Sequence, residues 1–101
     1  MTTAIRSVTF GSATGMHARP AAILSTAAAQ SGHSVTFTGP SGAAADAASV
    51  LMLLSMGVSH GDELTIEVDG DDAERVADEL ASLASSELDT ESGENAQSVS
   101  R

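Results

Sequence analysis

The sequence contains no cysteine and no lysine, and the first of these absences excludes a class of site. Without cysteine, neither disulfide bonds nor thiolate metal ligands are available. No apolar run approaches the roughly 20 residues that a transmembrane helix needs. The N-terminus also lacks the charged and apolar segments of a secretion leader. We therefore expect a soluble, cytoplasmic protein that does not insert into membranes.

Basic charge of any kind is scarce, because four arginines stand against fourteen acidic residues and give a formal net charge of −10. Such a charge argues against nucleic-acid partners, whose phosphates require a basic face, and against anionic membrane surfaces. An acidic, lysine-free surface is typical of salt-adapted (halophilic) proteins, since it maintains solubility when salt screens charge repulsion. A GC-rich genome, which favours Ala, Gly and Arg, explains the composition equally well.

The 101 residues are enough for one domain, and their apolar pattern predicts the element order β-α-β-β-α-β-α. The predicted strands are 5–10, 33–38, 42–46 and 62–68, and the helices are 18–30, a short one ending at 57 and one following the turn at 69–72. Alternating strands and one-sided helices indicate an α+β fold, a half-buried sheet with helices on one face. The predicted domain spans 1–85, and a polar, acidic tail over 86–101 is predicted to be disordered.

The stretch from Gly15 to Pro20, GMHARP, places a histidine and an arginine at the start of an alanine-rich helix. A helix N-terminus presents N–H groups and partial positive charge, and so binds the oxygens of an anion. Arg19 adds a bidentate, charge-assisted contact to such oxygens. Histidine is often unprotonated near neutral pH and can then attack phosphorus. The pattern predicts that His17 accepts a phosphoryl group, with a solvated residue or a helix cap as the alternative.

The sequence predicts neither a metal site nor a cofactor. His33 and His60 lack the i, i+4 spacing of a helical metal pair, and the acidic residues lack the regular spacing of a calcium loop. A Gly-rich nucleotide loop is also absent, as is a second titratable residue in the histidine motif that would act as a general base.

The stretch from Ser49 to Gly57 is apolar nearly all round, unlike a surface helix that buries a single stripe. We expect Leu53 and Met56 to point inward. Val50, Leu51 and Leu54 are expected to point outward and to form an apolar patch that suits several partners. The alternative is that all of these side chains belong to the core.

Two segments carry a resemblance to a known family. GMHARPAA resembles the active-site signature of the HPr family, the histidine phosphocarriers of the phosphoenolpyruvate-dependent sugar phosphotransferase system. SVLMLLSMGVSHGDELTIEVDGDDAERVADEL resembles the rest of that domain in order and spacing, so that the likeness runs from about Ala4 to Ser85. It implies an open-faced β-sandwich, a four-stranded antiparallel sheet under three helices, which agrees with the predicted element order.

The resemblance also implies a role for each residue of the motif. His17 would take a phosphoryl group on Nδ1 from Enzyme I, charged by phosphoenolpyruvate, and pass it to an Enzyme IIA domain for sugar uptake. Arg19 and the backbone N–H groups of Ala18 and Arg19 would bind the phosphoryl oxygens. The residues implied to dock partners are Met16, Pro20, Val50, Leu51 and Leu54. The protein would be a monomeric carrier, and not an enzyme, because it turns over only with its partners.

Two departures from the family pattern affect the expected partners and regulation. Family members often carry lysines around the active site, whereas Arg19 is the only basic residue near it in this sequence. We therefore predict partners that rely on weaker charge attraction and more apolar contact. Ser49 matches a serine that some members phosphorylate for regulation, yet Ala48 stands where a basic residue often precedes it. Helix capping is the favoured interpretation of Ser49, with phosphorylation as the alternative.

Other functions stay open. The acceptor in the same system is alternatively a dihydroxyacetone kinase or a regulatory branch, since the partner determines where the phosphoryl group goes. From a different class, the domain is alternatively an interaction module that keeps the fold without transferring anything. Loss of the histidine would be expected of such a module, and His17 is present.

Overall fold

Four antiparallel strands form the single sheet of the structure, a computed structural model that describes residues 2–88. The elements are β1 Thr2–Thr9, α1 Ala18–Ser31, β2 Ser34–Thr38, β3 Ala44–Asp46, α2 Val50–Ser55, β4 Glu63–Gly70 and α3 Ala73–Ser85. The strands lie side by side in the order β1-β4-β2-β3. The element order and the open sheet covered by three helices confirm the predicted fold class, an α+β open-faced β-sandwich. Strand β1 starts earlier and β4 ends later than predicted, because the two strands pair along their full length, from Thr2 with Gly70 to Thr9 with Glu63.

Strand β4 organises the sheet, because it pairs with both β1 and β2. Its alternate residues Leu64, Ile66 and Val68 are fully buried, as predicted, while Glu63 and Glu67 point to the exposed face. An alternation of this kind places one face of the sheet against a core and leaves the other in water. The sheet is therefore open on the side that carries the carboxylates.

The helices cover the buried face with small and branched residues. In α1 the buried side chains include Ala21, Leu24 and Ala28, which recur at helical spacing. Gly32 ends this helix in the left-handed conformation, and its N–H donates to the Ala29 carbonyl, as the sequence predicts for a glycine just past a helix. Among residues 2–88, none of the helices is long and apolar enough to cross a bilayer.

The chain continues to contact the domain just beyond α3. The side chain of Leu88 is buried, and its N–H donates to Ser12 Oγ at 3.2 Å. Residues 86–88 of the segment predicted to be a disordered tail thus contact the loop after β1. The rest of that predicted tail, 89–101, lies outside the described residues.

Candidate functional site

The loop between β1 and α1, residues 10–17, carries the histidine of the predicted site, and we call it the histidine loop. Within this loop, the four residues from Ser12 to Gly15 form a turn, which is closed by a hydrogen bond from Gly15 N–H to the Ser12 carbonyl at 3.1 Å. Gly15 has a positive φ of 85°, and a Cβ there would approach the Val58 carbonyl oxygen to 2.9 Å. Glycine is therefore required on both conformational and steric grounds.

His17 is exposed at the boundary between this loop and α1. Its backbone is extended, with φ −119° and ψ −164°, and its carbonyl accepts the first helical hydrogen bond, from Ala21 N–H at 3.0 Å. This geometry makes His17 the N-cap residue, but its imidazole makes no capping hydrogen bond to the first turn of α1. The ring is therefore not used as a helix cap, which removes one of the two alternatives to a functional role.

The first turn of α1 supplies the remaining parts of the predicted anion site. Ala18 and Arg19 are the first two helical residues, and both are exposed. Their N–H groups precede the first intrahelical hydrogen bond, so they lie at the positive end of the helix macrodipole. The structure thus brings His17, Arg19 and these two N–H groups together at one helix end, as the sequence predicts.

The other arginines of the described residues lie on β1 and α3, and both pair with carboxylates of α3. Arg6 Nε contacts Asp78 Oδ1 at 2.7 Å, and this hydrogen bond raises the pKa of Arg6. Arg75 Nη1 contacts Glu79 Oε2 at 2.9 Å within α3. Since neither arginine belongs to the histidine motif, Arg19 is the basic residue of that motif within residues 2–88.

The apolar stretch of α2 confirms the predicted inward and outward residues. Leu53 and Met56 are buried, whereas Val50, Leu51 and Leu54 are exposed, Leu51 by 78%. Met52 is exposed too, a fourth outward residue that the sequence analysis missed. A helix of six residues can bury only one side, so exposure of a further apolar residue such as Met52 could have been predicted. We call the exposed set Val50, Leu51, Met52 and Leu54 the apolar patch.

The apolar patch lies close to the histidine loop in the fold. Helix α2 packs against α1, and Met16 N–H of the loop donates to the carbonyl of Val58, just beyond α2, at 2.9 Å. A partner that covers the apolar patch is therefore positioned to contact His17 as well. Whether partners dock there stays a prediction.

Two of the predicted docking residues do not fit that role. Met16 is only 7% exposed, and Pro20 is fully buried. The physical reason is that the Met16 backbone bonds to Val58 and turns the side chain into the core, while Pro20 faces inward from the first turn of α1. Both side chains are therefore buried and offer little surface to a partner.

Ser49 is the N-cap of α2, as favoured by the sequence analysis. Its side-chain oxygen accepts a hydrogen bond from Met52 N–H at 3.2 Å, and its backbone is extended. A serine cap of this kind is typically worth about 1 kcal/mol. Phosphorylation of Ser49 stays a prediction.

The two remaining histidines lie apart from the predicted site. Both ring nitrogens of His33 face backbone carbonyls, those of Ser31 and Asp71, while His60 is exposed in the connection between α2 and β4. Over residues 2–88, no cluster of three or more His, Asp or Glu side chains is arranged to hold a metal ion.

Comparisons with known proteins agree on one family. The protein family described as "PTS HPr component phosphorylation site" matches residues 5–86. A phosphocarrier protein HPr from Streptomyces coelicolor is 38% identical over 84 residues, which cover 83% of this chain and 90% of that protein. A phosphocarrier protein HPr from Mycoplasma genitalium is 40% identical over 60 residues, covering 59% of this chain and 68% of that protein.

Solved structures extend this likeness to the whole fold. A phosphocarrier protein HPr from Bacillus anthracis superposes with a TM-score of 0.77 at 25% identity, covering 83% of this chain and 99% of the other. HPr-C-His from Thermoanaerobacter tengcongensis superposes with a TM-score of 0.69 at 25% identity, covering 81% and 94%. The similarity therefore spans nearly the full length of both relatives.

Proposed function

Because this chain belongs to the HPr family of phosphocarriers of the phosphotransferase system, we propose that His17 accepts a phosphoryl group from Enzyme I and passes it to an Enzyme IIA domain. Members of the family are carriers and not catalysts. The observation that carries the proposal is the exposed imidazole of His17 at the N-terminus of α1, next to Arg19 and unused as a cap.

The proposed transfer exchanges one bond to phosphorus for another. The lone pair of Nδ1 of His17 attacks phosphorus, the bond between phosphorus and Enzyme I breaks, and the electron pair of that bond returns to Enzyme I. The loose transition state of phosphoryl transfer places charge on the equatorial oxygens. Arg19 and the N–H groups of Ala18 and Arg19 are in place to stabilise that charge. The second transfer, to Enzyme IIA, repeats the same exchange with His17 as the leaving group.

We propose that both partners dock on the apolar patch. Its exposed leucines, valine and methionine offer desolvation energy in place of charge attraction, since Arg19 is the basic residue of this face. Met side chains adapt to differently shaped surfaces, which suits a carrier that binds two partners in turn.

The experiment that tests the function is intact-mass measurement after incubation with phosphoenolpyruvate and a cognate Enzyme I. We expect one acid-labile phosphate on the wild-type chain and none on His17→Ala. Candidate acceptors added to the labelled chain, an Enzyme IIA domain and a dihydroxyacetone kinase, then compete to identify the branch.

The controls make a negative result informative. Enzyme I must label itself in the same tube, and His33→Ala must be labelled like the wild-type chain. Absence of label under those conditions would contradict the carrier function and favour a non-transferring interaction module.

A further inference from the structure

The last described residues of the chain, Ala84 to Leu88, lie directly on the histidine loop, and we call them the C-terminal clamp. Gly11 N–H donates to the Ala84 carbonyl at 2.9 Å. The approach is so close that a Cβ on Gly11 would lie 2.1 Å from the Ser85 carbonyl oxygen. The two backbones are therefore packed against each other without space for a side chain.

Two further contacts fasten the clamp to the turn that precedes His17. The carboxylate of Glu87 accepts a hydrogen bond from Ala13 N–H, with N···O distances of 3.0 and 3.3 Å. Ser12 is fully buried, and its Oγ accepts the N–H of Leu88. Hydrogen bonds to a charged acceptor are about twice as strong as neutral ones, so Glu87 makes the stronger of these contacts.

A continuous chain of hydrogen bonds leads from Glu87 to His17. The Glu87 carboxylate holds Ala13, the turn is closed between Ser12 and Gly15, and the Gly15 carbonyl accepts the N–H of His17 at 3.1 Å. Every hydrogen bond in this series involves backbone atoms of the histidine loop. A shift at Ala13 is therefore transmitted to the backbone of the phosphoryl-accepting residue.

The loop is held from its other side by the connection between α2 and β4. Met16 N–H donates to the Val58 carbonyl, and Phe10 is tied to that connection by hydrogen bonds with Gly61 and Asp62. These bonds fix the two ends of the loop but not the turn between them. Within residues 2–88, the turn at Ser12 and Ala13 is held from outside by the clamp.

We propose that Glu87 is a positioning residue for phosphoryl transfer, holding the turn at Ala13 so that His17 keeps its place at the N-terminus of α1. The inference rests on the proposed transfer through His17. Transfer rates depend steeply on alignment, because displacement of a reacting group by about 1 Å costs up to about a hundredfold in rate. Glu87 touches neither the phosphoryl group nor the partner in this scheme.

The role of Glu87 as a hydrogen-bond acceptor sets the design of the test. Glu87→Ala removes the acceptor for Ala13 N–H, whereas Glu87→Gln keeps an amide oxygen that accepts the same hydrogen bond. Glu79→Ala is the matched control, since it also removes an exposed carboxylate close to the C-terminal end of the fold, but one that pairs with Arg75. Gly11→Ala is a second disruption, because its Cβ displaces the backbone of Ser85.

The measurement is the kinetics of phosphorylation by Enzyme I with the full-length chain as the varied substrate. We expect Glu87→Ala to lower kcat by about tenfold with KM unchanged, because the apolar patch that binds Enzyme I is untouched. Glu87→Gln is expected to recover most of the loss, Glu79→Ala to equal the wild-type chain, and Gly11→Ala to lose at least as much as Glu87→Ala. Unfolding midpoints establish that each variant is folded at the assay temperature.

The outcomes separate this inference from the function on which it rests. A wild-type chain that takes no label overturns the proposed transfer and the positioning role together. A labelled wild-type chain with Glu87→Ala at wild-type kcat overturns the positioning role alone. A rise in KM with kcat unchanged also overturns it, since that result assigns Glu87 to docking.

Discussion

The face formed by α1 and α2 differs from the part of the surface formed by β4 and α3 in both charge and polarity. Asp46 is the only acidic residue before Asp62, and neither α1 nor α2 contains a carboxylate. The exposed carboxylates of the other region lie on the open face of the sheet and on α3: Glu63, Glu67, Glu74, Asp78 and Glu79. Over residues 2–88, the acidic charge is thus concentrated on the sheet and α3, and Glu87 is the carboxylate that reaches the histidine loop.

This segregation fits the chemistry proposed for each region. Net charge far from zero maintains solubility wherever on the surface it lies. A carboxylate in the first turn of α1 would repel the incoming phosphoryl group and weaken the stabilisation by Arg19, whereas the carboxylate of Glu87 is hydrogen-bonded to Ala13 N–H in the loop before His17. Acidic residues are therefore compatible with function on the sheet, on α3 and, as Glu87, at the turn of the histidine loop, but not in the first turn of α1.

Each region exposes one large aliphatic side chain that allows a direct comparison. Leu51 is 78% exposed among the apolar neighbours of α2, and Ile5 is 58% exposed on the open sheet, where Glu67 is its cross-strand partner. The two side chains are alike in size and exposure but differ in their surroundings. If the same substitution is made at Leu51 and at Ile5, a difference between the two variants reflects the surroundings of each site and not the side chain itself.

The largest effect is expected when Leu51 is replaced by aspartate. Leu51→Asp removes an apolar contact worth about 1.5–3 kcal/mol when fully buried by a partner, so the KM of Enzyme I for this chain is expected to rise at least about tenfold. Ile5→Asp is expected to leave KM near the wild-type value. Steady-state kinetics with both variants provide the measurement. Equal changes in KM at the two sites would contradict docking on the apolar patch.

A smaller effect is expected from salt. With Arg19 as the basic residue near the site, added salt screens at most one exposed ion pair, worth about 0.2–1 kcal/mol. The dissociation constant for Enzyme I is therefore expected to rise by less than about fivefold between low and high salt. Titration calorimetry across a salt series measures this directly. A steep loss of affinity would show that charge attraction dominates and that the apolar patch does not.

Much of this comparison could be predicted from the sequence. The alternation at Leu64, Ile66 and Val68 determines which side of β4 faces the core of a half-buried sheet. In the histidine motif, Pro20 and the preceding glycine indicate the start of a helix. Patterns of this kind are local, and local patterns determine which elements form. Burial of Leu53 and exposure of Leu51 followed from the same helical geometry.

The features that were missed depend on contacts between distant parts of the chain. Burial of Met16 follows from its bond to Val58, and the contact of Glu87 with Ala13 joins residues 74 positions apart. The composition of 86–88, Ser-Glu-Leu, is typical of a solvated tail and carries no sign of that contact. The pairing of β1 with β4 and the packing of α3 against both strands bring the histidine loop to the end of α3 and so create that contact.

The two regions are joined at His33, between α1 and β2. Its Nε2 faces the carbonyl of Asp71 in the turn before α3, and its Nδ1 lies 2.7 Å from the carbonyl of Ser31 at the end of α1. A neutral imidazole donates from one nitrogen only, whereas the protonated ring donates from both. The carbonyls of Asp71 and Ser31 therefore raise the pKa of His33. Partial desolvation of the ring and the charge of Arg75 oppose this shift, and the Asp71 carboxylate adds to it.

The smallest effect on stability is expected from His33, because its ring lies close to solvent and its hydrogen bonds compete with water. A raised pKa in the folded state means that protonation stabilises the fold: the contribution is complete below about pH 6.5, the ordinary titration range, and is lost as the pH rises through the folded value. Urea unfolding of wild type and His33→Ala at a series of pH values measures it. We expect the difference in unfolding free energy to be largest in acid and to shrink above neutrality. A difference that is constant with pH would mean that His33 joins the two regions by packing and not through its proton.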